Sequence, residues 1–209
     1  MESYESVRAF CKLLKETVSA VDMLILNAGI CIFDFARTQH GHERTMQVNY
    51  WSNVLLVTEI LPYLESSAEK SGSPTRITWV GSRTYYTANS LEGARIPKST
   101  GGVTEYMDSK ETFQSLKRYA DSKMLCSMFT YALAPRLDKD KVTITLVCPG
   151  MVKTNLTADA SLPIRLVSGV LAAIRARSVD MGGLLIVNAA VVAGAESHGQ
   201  LLGDKDIVE

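Results

Sequence analysis

An α/β fold with a parallel sheet covered on both faces is predicted by three features of the chain. Three short apolar runs, at residues 21–26, 76–80 and 142–147, are continuous rather than alternating, the pattern of strands buried on both sides. Each run stops at a turn: Asn27-Ala28-Gly29, Gly81-Ser82 and Cys148-Pro149-Gly150. Helical periodicity fills the stretches between, and alternating strands and helices give a parallel sheet. Ligands of such sheets bind beyond the carboxyl ends of the strands, so the three turns are expected to converge on one site.

The elements follow in order. Val7, Phe10, Cys11, Leu14 and Val18 recur at helical spacing, with Ser3 placed to cap the first turn. The run 21–26 reads as a fully buried strand. A long helix is predicted over residues 43–64, with Pro62 near its end. Residues 83–108 read as irregular; a loop this long inside a domain commonly serves function. Its Tyr85, Tyr86, Leu91, Ile96 and Val103 are expected to line a fairly apolar pocket. Helices are predicted at 109–137, 162–177 and 179–193, and a short strand near 200–202. The stretch Met181 to Ala193 has two readings, a buried core helix or the interface of a homo-oligomer. Without repeats or a low-complexity linker, residues 1–209 read as a single partial domain.

Composition excludes several classes. The 209 residues carry 22 basic and 22 acidic side chains, a formal net charge of +0, and 46% are hydrophobic. That is too apolar for a disordered chain and offers no basic field for nucleic acid. Cys11, Cys31, Cys126 and Cys148 are scattered with no C-x-x-C pair, as expected of buried thiols in a reducing, cytoplasmic setting without a metal site. The N-terminus has no basic and apolar leader pattern, and the longest apolar stretch, 181–195, is shorter than the ~20 residues of a membrane span.

The chemistry centres on Tyr119 and Lys123, four apart on a predicted helix and so on one face. A phenol ordinarily titrates near ~10, and a nearby cation favours its ionised form. Such a pair can deliver a proton to a carbonyl oxygen or take one from an alcohol. Ser82 could hold the same oxygen, and Asn49 could support the lysine through a water. The spacing by itself is weak: eight tyrosines and eleven lysines give roughly 0.4 chance pairs, and Tyr106 and Lys110 form a second. Context favours Tyr119, which is followed by an amphipathic helix, a strand and Pro149-Gly150.

Leu26-Asn27-Ala28-Gly29, Val48-Asn49, Trp79-Val80-Gly81-Ser82, Tyr119-Ala120-Asp121-Ser122-Lys123-Met124 and Cys148-Pro149-Gly150-Met151-Val152-Lys153-Thr154 appear in one order along the chain. In that order they resemble the short-chain dehydrogenase/reductase family, more closely its retinol-dehydrogenase-like branch and the fungal biosynthetic-cluster reductases. The resemblance covers nearly the whole chain. It implies a Rossmann-like doubly wound parallel sheet and hydride transfer between NADP(H) and a carbonyl or alcohol, with NAD left open. It implies Tyr119 as proton donor or acceptor, Lys123 lowering its pKa and binding the nicotinamide ribose, Ser82 orienting the substrate and Asn49 completing a proton relay. Asn27, Val152 and Thr154 would lie along the cofactor.

One departure matters. The family's first strand, glycine-rich G-x-x-x-G-x-G turn and following helix have no counterpart among the fourteen glycines, so the first β-α-β-α-β portion of the sheet is expected to be missing. The strand 21–26 is then expected to be a bare edge, and the helix before it to lose packing surface. Three readings follow: an oxidoreductase whose sequence is incomplete at its N-terminus, a cofactor-free proton-transfer enzyme using Tyr119 and Ser82, or a catalytically dead interaction protein pairing through that edge.

Overall fold

The computed structural model describes residues 1–88, 101–204 and 206–208. Ser3 caps α1 (Tyr4–Thr17), its hydroxyl accepting from the Ser6 amide at 3.2 Å, as the sequence predicts. The strands β1 (Met23–Leu26), β2 (Thr75–Val80), β3 (Val142–Cys148) and β4 (Leu201–Gly203) run parallel in that spatial order. A short β5 (Asp206–Ile207) returns antiparallel along β4. Leu26 lies opposite Trp79, and Val80 opposite Val147, so the carboxyl ends of β1, β2 and β3 line up.

The sheet is covered on both faces because its strands alternate between two apolar clusters. Ile77, Trp79, Ile144 and Leu146 face α3 (Ser52–Ser71) and α5 (Ser115–Leu133). Val147 and Leu202 face α7 (Val179–Val187) and the π-helical turn Asn188–Val192 that continues it. Ile144 and Trp79 are fully buried, and cutting such a side chain to alanine typically costs about 2–5 kcal/mol. The doubly wound parallel sheet is thus observed.

Several predicted boundaries shift. The helix at 43–64 is three pieces: α2 (Arg44–Met46), a π-helical turn Gln47–Trp51, and α3, which runs through Pro62 to Ser71. Gly72 stops it with a φ of 70°, its amide returning to the Ala68 carbonyl at 2.9 Å. The segment 83–108 is not all irregular: Arg83–Thr87 form a 3-10 turn and α4 spans Gly102–Asp108. Leu91 and Ile96 lie outside the described residues. The helix expected from residue 109 begins only at Ser115, where α5 starts.

Two expectations about burial change. In β1 only Leu26 is buried, while Met23 and Ile25 are 45% and 40% exposed: they point to the sheet face opposite Leu24 and Leu26, where the Val147–Leu202 cluster does not reach. With β2 as its one neighbour, β1 is the bare edge foreseen above, not a strand buried on both faces. On α1 likewise, Val7 and Cys11 are buried but Phe10, Leu13 and Val18 are exposed. Towards the C-terminus, α6 (Leu162–Arg175) contains no buried residue. The stretch 181–193 buries one face, through Leu185, Ala189 and Ala190, and exposes Leu184 and Val191, so it is not a core helix buried all round. Among the described residues no helix is long and apolar enough to cross a membrane.

Candidate active site at the strand ends

The site begins with a distortion in the helix before β2. In the π-helical turn, where the backbone widens, the Asn53 side-chain amide donates to the carbonyls of Val48 and Asn49 at 2.9 and 3.0 Å. The Asn49 side chain then reaches two elements. Its Oδ1 accepts from the Ile30 amide at 2.8 Å, and its Nδ2 donates to the Ile30 carbonyl and to Ser122 Oγ, each at 2.9 Å. Asn49 therefore pins the loop after β1 to α5. Its side chain is committed to these partners and makes no hydrogen bond to Lys123 among the described residues.

Lys123 projects from α5 towards the end of β2, where its Nζ donates to the Val80 carbonyl at 2.8 Å. The lysine is buried, and loss of water pushes its pKa down. Its Nζ stands 5.7 Å from the centre of the Tyr119 ring. The Tyr119 phenol is pushed up to about 12 by burial, while the Ser82 hydroxyl pulls the other way by hydrogen bonding. The expected depression by Lys123 is not what governs this phenol: the ammonium sits over the ring face, and burial disfavours its charge. Ser82 itself caps the 3-10 turn, accepting from the Thr84 amide at 3.3 Å and from Thr84 Oγ1 at 2.9 Å. With those acceptor positions taken, its own hydrogen is what it offers to Tyr119.

Gly29 completes the cluster. A Cβ placed there would come 3.4 Å from Lys123 Nζ and 3.5 Å from Asn49 Oδ1. Its bare Cα thus leaves an opening beside the lysine, at the end of β1.

The structure therefore brings together Ser82, Tyr119, Lys123 and Asn49, and adds Gly29. The remaining three predicted residues make no side-chain hydrogen bond to this cluster among the described residues. Asn27 is exposed at the end of β1. Val152 follows β3, pairs with Arg177 and packs on α7 so closely that a Cβ on Gly182 would lie 2.8 Å from its Cγ2. Thr154 is exposed two residues on. Cys148, at the end of β3, connects their loop to the cluster: its Sγ accepts from the Arg83 amide at 3.2 Å, next to Ser82.

The second Tyr-Lys pair does not form a site. Helix α4 ends at Asp108, so Lys110 lies beyond the helix that carries Tyr106. The Tyr106 ring instead lies 5.8 Å from the Arg118 guanidinium. Sequence reasoning missed the buried charges Arg118 and Asp121 on α5 and Glu43 before α2. The i,i+3 spacing of Arg118 and Asp121, flanking Tyr119, was the available signal.

At the rim of a parallel sheet, Ser82 at the end of β2 thus stands beside a tyrosine and a lysine one helical turn apart on α5. A family model described as short chain dehydrogenase matches residues 1–88 and 104–163. The chain is 53% identical over 209 residues to the short chain dehydrogenase yanD of Aspergillus niger, and 51% over 207 residues to the short chain dehydrogenase macD of Penicillium terrestre. These matches take in 100% and 99% of the chain but 63% and 62% of those relatives, so the chain spans under two thirds of their length. Among solved structures, the Pseudomonas aeruginosa RhlG/NADP active-site complex superposes with a TM-score of 0.66 at 21% identity, covering 98% of this chain and 73% of the other. The chain belongs to the short-chain dehydrogenase family.

Proposed function

We propose that this chain carries the proton-handling site of an NADP(H)-dependent oxidoreductase acting on a carbonyl or alcohol of a small, fairly apolar molecule. The observation that carries the reading is the meeting of Ser82, Tyr119 and Lys123 beside the open Cα of Gly29. A dinucleotide's nicotinamide end would approach past the bare Cα of Gly29, where a Cβ would already stand in contact with Lys123 Nζ and Asn49 Oδ1. Lys123 would hold the ribose, with Asn27 beside it and Val152 and Thr154 along the carboxamide side. The cofactor, when bound, supplies or accepts the hydride.

The protein's own part is the proton. Ser82 holds the substrate oxygen and Tyr119 gives or takes its proton. Burial pushes this phenol up to about 12, so it carries its proton at neutral pH as free tyrosine does. Asn49 holds the loop after β1 in register with α5. An intermediate of fungal secondary metabolism is a suitable substrate class, supported by the fungal sources of the relatives at about half identity.

The test is NADPH oxidation with a panel of apolar ketones and aldehydes, comparing Tyr119→Phe with Tyr106→Phe. Loss in the first and retention in the second supports the reading; the reverse overturns it. A second reading, a non-redox protein that pairs with another chain, is supported by the exposed edge of β1. Chromatographic sizing of Ile25→Lys tests it: an unchanged elution volume would rule pairing at that edge out.

A further inference from the structure

We propose that Arg118 is a positioning residue that fastens the segment 102–114 to the helix bearing Tyr119 and so sets one wall of the opening above that tyrosine. The inference rests on the reading of Tyr119 as the proton donor.

Arg118 is 1% exposed, although its neighbours Lys117 and Leu116 on α5 face solvent. Its guanidinium is spent on the segment before α5. Nη2 donates to Thr112 Oγ1 at 3.0 Å and to the Tyr106 carbonyl at 3.4 Å, and the group lies within 6 Å of the Tyr106 and Phe113 ring centres, at 5.8 and 5.9 Å. The Thr112 hydroxyl donates onward to the Tyr106 carbonyl. One side chain thus holds α4, the turn after it and the start of α5 together. Arginine suits this, because its planar fork can stack on rings and bond in two directions at once.

The charge balance behind it is incomplete. Glu43 is fully buried, caps α2 through the Thr45 and Met46 amides at 3.0 and 2.9 Å, and faces Arg118 electrostatically. Asp121 approaches Arg118 Nε only to 4.0 Å. Among the described residues, Arg118 Nε and Nη1 and Asp121 Oδ1 are buried without a hydrogen-bond partner. Burying three charges with bonds left unmade is a poor way to gain stability, and an apolar packing would serve that end as well. The arrangement is suited to fixing one geometry.

The fastened segment also meets the loop after β1. The far end of α4 is held by Asp108, whose carboxylate accepts from the Glu43 amide at 2.7 Å and pairs with His42 at 2.8 Å. Phe113 meets Phe35 edge-on at 5.5 Å, and Arg37 donates to the Asp108 carbonyl at 2.8 Å. Phe35 and Arg37 belong to the same loop whose Ile30 is gripped by Asn49. The segment 102–114 therefore continues the loop after β1 into a wall, and Arg118, one residue before Tyr119, is its fastening on α5.

Hydrogen exchange followed by mass spectrometry on the full 209-residue chain tests the fastening without any need for turnover. In Arg118→Met, amides of 102–114 are expected to exchange at least about tenfold faster, with β2 and β3 unchanged; Arg118→Lys should restore part of the protection. Equal acceleration throughout the chain, or no change at 102–114, overturns the proposal. If Arg118→Met does not fold, Thr112→Val, which removes the Arg118 bond together with the hydroxyl's bonds to the Tyr106 and Ser109 carbonyls and leaves the charge, decides by the same local criterion. Where turnover is measurable, Arg118→Met is expected to raise KM for the carbonyl substrate about tenfold, with kcat within about threefold. A fall in kcat at unchanged KM overturns the wall assignment. Absence of turnover in the wild-type chain counts against the proposed function and leaves the exchange result to decide this one.

Discussion

Two segments of this chain carry a tyrosine followed four residues later by a lysine, and the fold treats them differently. Tyr119 and Lys123 share α5, and the lysine is buried against the end of β2. Tyr106 sits on a seven-residue helix that ends before Lys110, and Lys110 is exposed. The same spacing gives a buried lysine beside a tyrosine on one helix in one place and, in the other, a ring stacked under an arginine. The motif acquires chemistry from what surrounds it: a continuous helix to fix the relative direction, strand ends to supply Ser82 and the Val80 carbonyl, and burial to set both pKa values.

The sharpest way to break this contrast is to remove each hydroxyl in turn. Tyr119→Phe should lower NADPH-linked turnover by about 10³-fold or more, in the upper range for a general acid, and Tyr106→Phe should leave it within about twofold. Comparable losses would mean the two tyrosines are not distinguished by their surroundings. Next, Lys123→Met should cost about 10²-fold in turnover while raising the melting temperature. The sign follows from the depressed pKa of the buried lysine. Burial makes the protonated amine costlier in the folded chain than in water, so stability rises with pH through the folded-state pKa up to the ordinary lysine value, and is lost below. Methionine removes that burden, and thermal unfolding at pH 7 checks it; a lower melting temperature would contradict the burial argument.

A third prediction concerns the charges flanking Tyr119. Burial raises Asp121 to about 6, against the opposing pull of Arg118. The folded chain therefore holds this proton more tightly than the unfolded one. The stability it confers is fully present below pH ~4 and is lost as pH rises to about 6, an effect on the order of 3 kcal/mol. Asp121→Asn should flatten the dependence of unfolding free energy on pH between about 4 and 6, as followed by urea denaturation. An unchanged slope would assign the titration to another group.

Much of this contrast was legible before the structure. Three continuous apolar runs with turn residues at their ends fixed a parallel sheet, because that pattern has few other solutions, and the sheet brought Ser82, Lys123 and the Asn27-Ala28-Gly29 turn to one rim. What could not be read depended on contacts between distant segments. Asn53 supports the widened turn at Asn49 through two backbone carbonyls, and neither residue type announces a π-helical turn. The burial of Arg118 depends on Thr112, Tyr106 and Glu43 arriving from three elements. The upward push of burial on the Tyr119 phenol was hidden for a related reason: helical spacing shows that a lysine is near, but not that it lies over the ring and is itself deprived of water. Exposure of Met23 and Ile25 follows from the face they point to being left uncovered by the helices on the far side of the sheet, a property of packing and not of the strand's own residues.

The smallest expected effect closes the comparison. Lys110→Met should change unfolding free energy by less than about 0.5 kcal/mol and turnover by less than about twofold. Lys110 is exposed and lies past the end of α4, where no helical geometry couples it to Tyr106. A methionine there keeps the apolar stem and removes only a solvated charge, whose loss a high-dielectric surroundings makes nearly neutral. The same substitution at Lys123 removes a cation held against a backbone carbonyl in the interior. One chemical change at two matched spacings thus isolates the environment as the variable, and a measurable loss from Lys110→Met would show that the segment after α4 takes part in the site directly.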